Sequence, residues 1–270
     1  MSKIESAYYN IGYIERLSSL NTPIHRLDPR AKLITTLVFI AAVVSFDKYK
    51  VSNLLIFFIF PVITAGMGNI PYKYLAKNIL YVSPFAVLVG IFNPAFDREI
   101  MVTIGNTGIS GGWISFLSIL IRFTLTVSAG FIMIGTSGFF SICVALEKLK
   151  VPRLFVVQLM FLYRYIFVLI EETIGLIRAR ALRSFDGRGM GMVVAGSMMG
   201  HLLLRTINRA RRIHLSMMSR GFDGEIRLMK GLKMNTASCL YMIVWCSLFI
   251  IMHNLNIPVI MGNFISRLTS

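Results

Sequence analysis

Trp113–Thr136 reads WISFLSILIRFTLTVSAGFIMIGT, 24 consecutive residues with a single charged side chain, Arg122. A helix of about 20 apolar residues crosses roughly 30 Å of hydrocarbon, so this stretch predicts that the chain folds in a bilayer. Working outward from it, Leu33–Phe46, Leu54–Met67, Ile79–Phe92 and Ala237–Met261 are further apolar runs, of which Leu54–Met67 and Ile79–Phe92 are short enough to need tilt or local thinning of the bilayer. Composition agrees: 56% of the 270 residues are hydrophobic, 15% are charged and the mean hydropathy is +0.70, where soluble domains average about 25% charged. The expected fold is an all-α polytopic membrane protein with about five transmembrane helices.

The formal net charge is +16, and in a membrane protein such an excess reports orientation rather than nucleic-acid binding. Of the 28 Lys and Arg residues, 16 lie between Thr136 and Asn235 against 6 acidic residues, so this block supplies +10 of the +16. Arg26, Arg30 and Lys32 precede the first span, and Lys73 and Lys77 lie between the second and third. The alternate links are weaker: Asp47 offsets Lys48 and Lys50, Asp97 and Glu99 offset Arg98, and the tail carries only Arg267. Five spans place the N-terminus and the basic block in the cytoplasm, in a multi-pass protein of the inner (cytoplasmic) membrane. The expected organisation is a membrane region over residues 1–136 with four spans, a cytoplasmic region over 137–235, and a last span with its tail over 236–270. No cleavable secretory signal is expected, because the chain is polar through Asp28 and the first apolar run lies deep.

Within the basic block, Ile166, Ile170, Ile174, Ile177 and Ala181 recur at helical spacing, with Arg164, Glu171 and Arg178 on another face. The first half, Leu154–Ile170, is apolar enough to span. Crossing there would give six spans and move the basic stretch Arg205–Lys233 outside, against the charge rule. A glycine-rich link, Gly187, Gly189 and Gly191, leads to a second helix from about Val194 to Arg220. His201, Arg205, Arg209, Arg212 and Ser216 form a ridge along it, opposite Met199, Leu203, Ile207, Ala210 and Met217. Gly221 is expected to end that helix in the left-handed conformation.

Both helices finish alike. Arg183-Ser184-Phe185-Asp186-Gly187 and Arg220-Gly221-Phe222-Asp223-Gly224 are a near repeat 37 residues apart. Attraction to anionic lipid explains the charge and leaves the duplicated ending unexplained. An arginine at a helix tip beside a small residue suits bidentate pairing with a carboxylate in another protein's groove, and two such tips suit a paired partner.

These residues resemble the coupling region of the T component of energy-coupling factor (ECF) transporters. His25-Arg26-Leu27-Asp28-Pro29-Arg30 with Lys32, Arg122-Phe123, and Tyr163-Arg164-Tyr165 with Glu171-Glu172 extend the resemblance over nearly the whole chain; the wording RYIFVLIEE and SRGFDGEI is closest to the CbiQ branch, which serves cobalt uptake. The resemblance implies an L-shaped coupling subunit, with motifs Leu182-Arg183-Ser184 and Ser219-Arg220-Gly221 docking into ATPase subunits. It also implies Arg164, Glu171, Glu172, Arg205, Arg209, Arg212 and Asp223 as support within the coupling helices, and Arg122 as an intramembrane candidate. The implied partners are two CbiO-like ATPase subunits and a CbiM-like substrate-capturing membrane subunit, with or without a CbiN-like protein. ATP and Mg would sit in the ATPase subunits, and this chain would bind no cofactor. Ser184 departs from the Ala-Arg-Gly common in the family. T components serving vitamin uptake share the N-terminal motif and remain an alternative.

No G-x-x-x-x-G-K-[ST] string occurs, so ATP hydrolysis is expected in another subunit and this chain is not expected to be an enzyme. His25, His201, His214 and His253 are scattered, and Cys143, Cys239 and Cys246 form no CxxC pair, so no metal site is expected. The methionines read as adaptable packing surface. Asp28 and Arg30 read as a structural clamp, with Pro29 in the first helical turn. Two readings of other classes stay open: an enzyme acting on a phosphorylated lipid, for which only Glu171-Glu172 are adjacent acids, and a lipid-binding structural protein.

Overall fold

The computed structural model describes residues 12–13, 15–47, 51–96, 100–104, 107–183, 191–224 and 234–254. The described helices are α1 (Pro29–Ser45), α2 (Val51–Ile56), α3 (Ile59–Met67), α4 (Tyr72–Gly90), α5 (Asn93–Phe96), α6 (Gly111–Ser137), α7 (Phe139–Lys148), α8 (Arg153–Arg183), α9 (Met192–Ser219) and α10 (Thr236–Asn254). Between α5 and α6, β1 (Ile100–Ile104) pairs antiparallel with β2 (Thr107–Ser110). The chain divides into two compact units: one holds the described residues of Glu15–Ile142 and Leu232–Ser270, the other those of Met1–Ile14 and Cys143–Gly231.

In the first unit α6 is the central element, packing on α1, α2, α3, α4 and α5, while α1 also packs on α10. The run expected as one span at Leu54–Met67 is a broken helix, α2 then α3, with a turn at Phe57-Phe58. Pro61 has no N–H to give the Phe57 carbonyl, and the backbone there tightens to three-residue bonds, Phe57 to Leu54 and Phe58 to Leu55. The break turns Phe57 and Phe60 into a buried cluster with Phe39 and Phe249, whose ring centroids lie 4.6 Å (Phe39–Phe60), 5.3 Å (Phe39–Phe249) and 5.2 Å (Phe60–Phe249) apart. In lipid, contacts of this kind act through close packing, because the tails outside are as apolar as the rings.

The polar residues before the first span are built into the bundle. Asp28 caps α1, its Oδ1 accepting from the Arg30 backbone N–H at 2.9 Å, and Pro29 opens the helix. The Asp28 backbone N–H donates to the buried Ser238 Oγ at 2.9 Å, at the start of α10. One turn on, the buried Lys32 Nζ donates to the Thr136 carbonyl at 2.9 Å, in the last turn of α6. Just upstream, His25 bridges Thr22 Oγ1 (2.7 Å) and the Leu17 carbonyl (2.9 Å), and burial holds its imidazole below the usual range.

Arg122 answers Lys32 from the other helix. Its guanidinium, on α6, donates to the Phe46 carbonyl at 2.8 Å, and Phe46 is the C-terminal cap of α1. The antiparallel helices α1 and α6 therefore each carry a cation that satisfies an orphan carbonyl at the other's C-terminus. The spacing fits both ways: Lys32 to Phe46 and Arg122 to Thr136 are each 14 residues, about 21 Å along a helix.

These contacts also fix how the chain threads. The end of α6 and the start of α10 both lie where α1 begins, so the chain joining them leaves and returns at one face of the bundle. It must cross an even number of times. By length and composition α6, α8 and α10 are apolar enough to cross a membrane, and α8 was the candidate sixth span. α9, with Arg205, Arg209, Arg211 and Arg212, is too polar to cross.

Lys32→Met and Arg122→Met should each lower stability in detergent by about 1–3 kcal/mol, because each strands a carbonyl at a helix end. Unfolding titrations check this, and a change within error for both variants would contradict the reciprocal capping.

Candidate functional site

The second unit holds most of the residues singled out by the sequence. Its long helices, α8 and α9, are 31 and 28 residues, close to their expected bounds. Arg183 is the last residue of α8; it is exposed, and Leu182 beside it is 88% exposed. Ser184, Phe185, Asp186, Gly187 and Gly189 lie outside the described residues, so the first repeat ending is seen only as far as its arginine.

The second ending is seen whole. Ser219 closes α9 with its Oγ donating to the Leu215 carbonyl at 2.9 Å, and Arg220 is the cap. Gly221 takes φ +74°, its N–H donates to the Met218 carbonyl, and the Phe222 N–H donates to the Met217 carbonyl, both at 3.0 Å. This is a Schellman ending, in which the residue after glycine folds back on the last turn. Phe222 does so, and lines a groove between α8 and α9 with Met217. Arg220 is left exposed at the helix end, on the rim of that groove, and Asp223 follows it at the surface.

The acidic doublet of α8 separates as neighbours on a helix must. Glu171 is exposed, whereas Glu172 faces α9 and bridges two arginines of its ridge: Oε1 lies 3.6 Å from Arg205 Nη1 and Oε2 3.4 Å from Arg209 Nη1. Both arginines are substantially exposed, so solvent screens the pairs and each contributes well under 1 kcal/mol or so. Their value is positional, since one carboxylate sets which turns of α8 and α9 meet.

Arg164 and Arg212 lie in the same groove as Arg220, and His201 lies on the exposed part of the ridge. The groove has a basic part of about 600 Å³ and a mainly apolar part of about 560 Å³. Phe161 and Tyr165 line both parts; Tyr165 belongs to the Tyr163-Arg164-Tyr165 stretch of the resemblance, whereas Phe161, four residues before it on α8, was not singled out by the sequence reading. Of the apolar face expected on α9, Ile207, Ala210 and Met217 meet the groove, while Met199 and Leu203 are 72% and 60% exposed. Among the described residues no group of three His, Cys, Asp or Glu side chains gathers as a metal site would need. Arg122 belongs to the other unit, in the helix-capping contact described above.

The sequence model of the CbiQ family, described as cobalt transport protein, matches residues 20–230. The chain belongs to the CbiQ family. Its relatives include an uncharacterized protein of Methanocaldococcus jannaschii, 26% identical over 80% of this chain and 76% of its own length. The energy-coupling factor transporter transmembrane protein EcfT of Bacillus subtilis is 28% identical over 74% of this chain and 81% of its own. A protein of Methanocorpusculum labreanum named as a fused cobalt transport protein CbiMQ is 34% identical over 34% of this chain and 16% of its own length. The CbiQ match covers both units, from the approach to α1 through the end of the second repeat. It agrees with the resemblance to ECF T components that the N-terminal, Tyr163–Glu172 and Ser219–Gly224 residues carry.

The Glu172 bridge predicts a coupling in this CbiQ-family chain. A double-mutant cycle of Glu172→Gln with Arg209→Gln should return about 0.3–1 kcal/mol of interaction in unfolding titrations. A cycle that closes at zero would show that the two side chains do not hold the helices together.

Proposed function

We propose that this chain is the transmembrane coupling subunit of an ECF-type importer for cobalt ions, passing motion from two CbiO-like ATPase subunits to a CbiM-like capturing subunit. ATP and Mg belong to the ATPase subunits, and the cobalt ion is cargo held by the capturing subunit. The 16 basic residues between Thr136 and Asn235 support a cytoplasmic placement of that block under the positive-inside rule.

The observation that carries the reading is the ending of α9: a Schellman turn leaves the Arg220 guanidinium exposed at the helix tip with only glycine behind it. A positive φ at Gly221 and open space around its Cβ position allow another backbone to come close. Arg183 stands exposed at the end of α8, in the position the repeat gives it. In the proposed cycle ATP closes the two ATPase subunits, each gripping one arginine through a carboxylate, and the approach of the two grips rotates α8 against α9. The exposed apolar residues of α9, Met199, Leu203 and Leu204 among them, offer the capturing subunit a surface it can slide on, with methionine adapting as it does so. The CbiMQ fusion in Methanocorpusculum labreanum joins cobalt transport proteins in one chain, which favours cobalt over a vitamin as cargo.

Charge reversal tests the proposal. Arg183→Glu with Arg220→Glu should reduce ATP-driven cobalt uptake by membrane vesicles to background while leaving membrane insertion unchanged. Uptake at the unmodified rate in the double variant would remove the mechanism.

A further inference from the structure

We propose that the groove between α8 and α9 is a binding site for one anionic phospholipid, its phosphate against Arg164 and Arg212 and an acyl chain along Leu162, Leu169 and Ile207. The site goes beyond the coupling role and does not rest on it. Two properties of the groove meet in no other class of ligand.

The first is uncompensated charge. Arg164, Arg209, Arg212 and Arg220 line the basic part, and no carboxylate shares that lining. Glu172 engages Arg205 and Arg209. Arg164, Arg212 and Arg220 have no ion pair among the described residues. Guanidinium groups gathered around one cavity repel each other, and a phosphate offers each of them charge-assisted, forked hydrogen bonds. Ser216 adds a hydroxyl to the same wall.

The second is the continuous apolar extension. The basic part shares Phe161, Tyr165, Ile213, Met217 and Phe222 with a second part walled by Leu162, Val168, Leu169, Ile207 and Ala210. On the α8 side this wall belongs to the half of the helix that is apolar enough for a bilayer. A free phosphate or nucleotide would leave the apolar wall wet, and an uncharged lipid would leave the arginines unmatched. An amphiphile with an anionic head satisfies both. Seated there, it would fasten α8 to α9 along the groove, adding to the solvent-screened Glu172 bridge.

The test is lipid binding to the purified, delipidated full chain in neutral detergent, read by native mass spectrometry. The probes are dioleoyl phosphatidylglycerol, dioleoyl phosphatidylcholine and glycerol 3-phosphate. One phosphatidylglycerol should be retained per chain, with phosphatidylcholine and glycerol 3-phosphate each at least about tenfold weaker. Arg164→Gln with Arg212→Gln, both exposed side chains whose loss spares the fold, should weaken phosphatidylglycerol about tenfold or more. Arg180→Gln with Arg211→Gln, which removes the same charge outside the groove, should leave it unchanged. Ile207→Gln should weaken phosphatidylglycerol without altering glycerol 3-phosphate. Equal retention of phosphatidylcholine, equal binding of glycerol 3-phosphate, or equal losses in the two arginine pairs would overturn the site. ATPase subunits that still co-purify with Arg164→Gln/Arg212→Gln would separate that failure from any failure of the coupling role.

Discussion

Two cations, the buried Lys32 and the half-buried Arg122, hold the membrane bundle in register. Lys32 and Arg122 sit on antiparallel helices, 14 residues from the carbonyl that the other one satisfies, so α1 and α6 can meet in one alignment only. Sliding by a single turn would strand both cations and both carbonyls in a region with little water, at a cost of several kcal/mol. The aromatic cluster of Phe39, Phe57, Phe60 and Phe249 adds packing, but rings tolerate small shifts that a paired set of charged hydrogen bonds does not. The Asp28–Ser238 bond extends the same constraint to α10.

From that alignment comes the placement of everything functional. Because α6 ends and α10 begins at the face where α1 starts, the chain that carries the 16 basic residues of the intervening block leaves and returns at that face. The block can then be polar, long-helical and poorly buried without destabilising the bundle, as α9 is, with no buried residue of its own. A helix without a core of its own is suited to take its contacts from partners and lipid, and its position relative to α8 is set by few contacts, the Glu172 bridge among them.

How much of this was legible in the sequence depended on how far each contact reaches along the chain. The left-handed Gly221 was readable because a Schellman ending is decided within six residues, and the N-cap Asp28 with Pro29 was readable for the same reason. The partners of the polar residues were not: Ser238 lies 210 residues from Asp28, and Thr136 lies 104 from Lys32. Arg122 was visible as an anomaly in the span that opens the case for a membrane protein, yet its acceptor is a main-chain carbonyl, and any residue supplies one. Pro61 was in plain view inside the second apolar run, but hydropathy sums over a window and so hid the break it makes. For α8, hydropathy alone reads as a crossing, while the basic stretch that follows it reads against one. The groove required two helices to be set side by side, so Phe161 gave no signal beyond being aromatic and four residues before Tyr165.

The proposed coupling role stands on the arginines at the ends of α8 and α9, and assembly measures them more directly than transport does. Affinity-tagged chain co-expressed with its partners would be purified in detergent, and the amount of ATPase subunit retained would be compared between the unmodified protein and Arg183→Gln/Arg220→Gln. The account predicts that the neutralised variant keeps the capturing subunit and loses the ATPase subunits. Full retention of the ATPase subunits would contradict it.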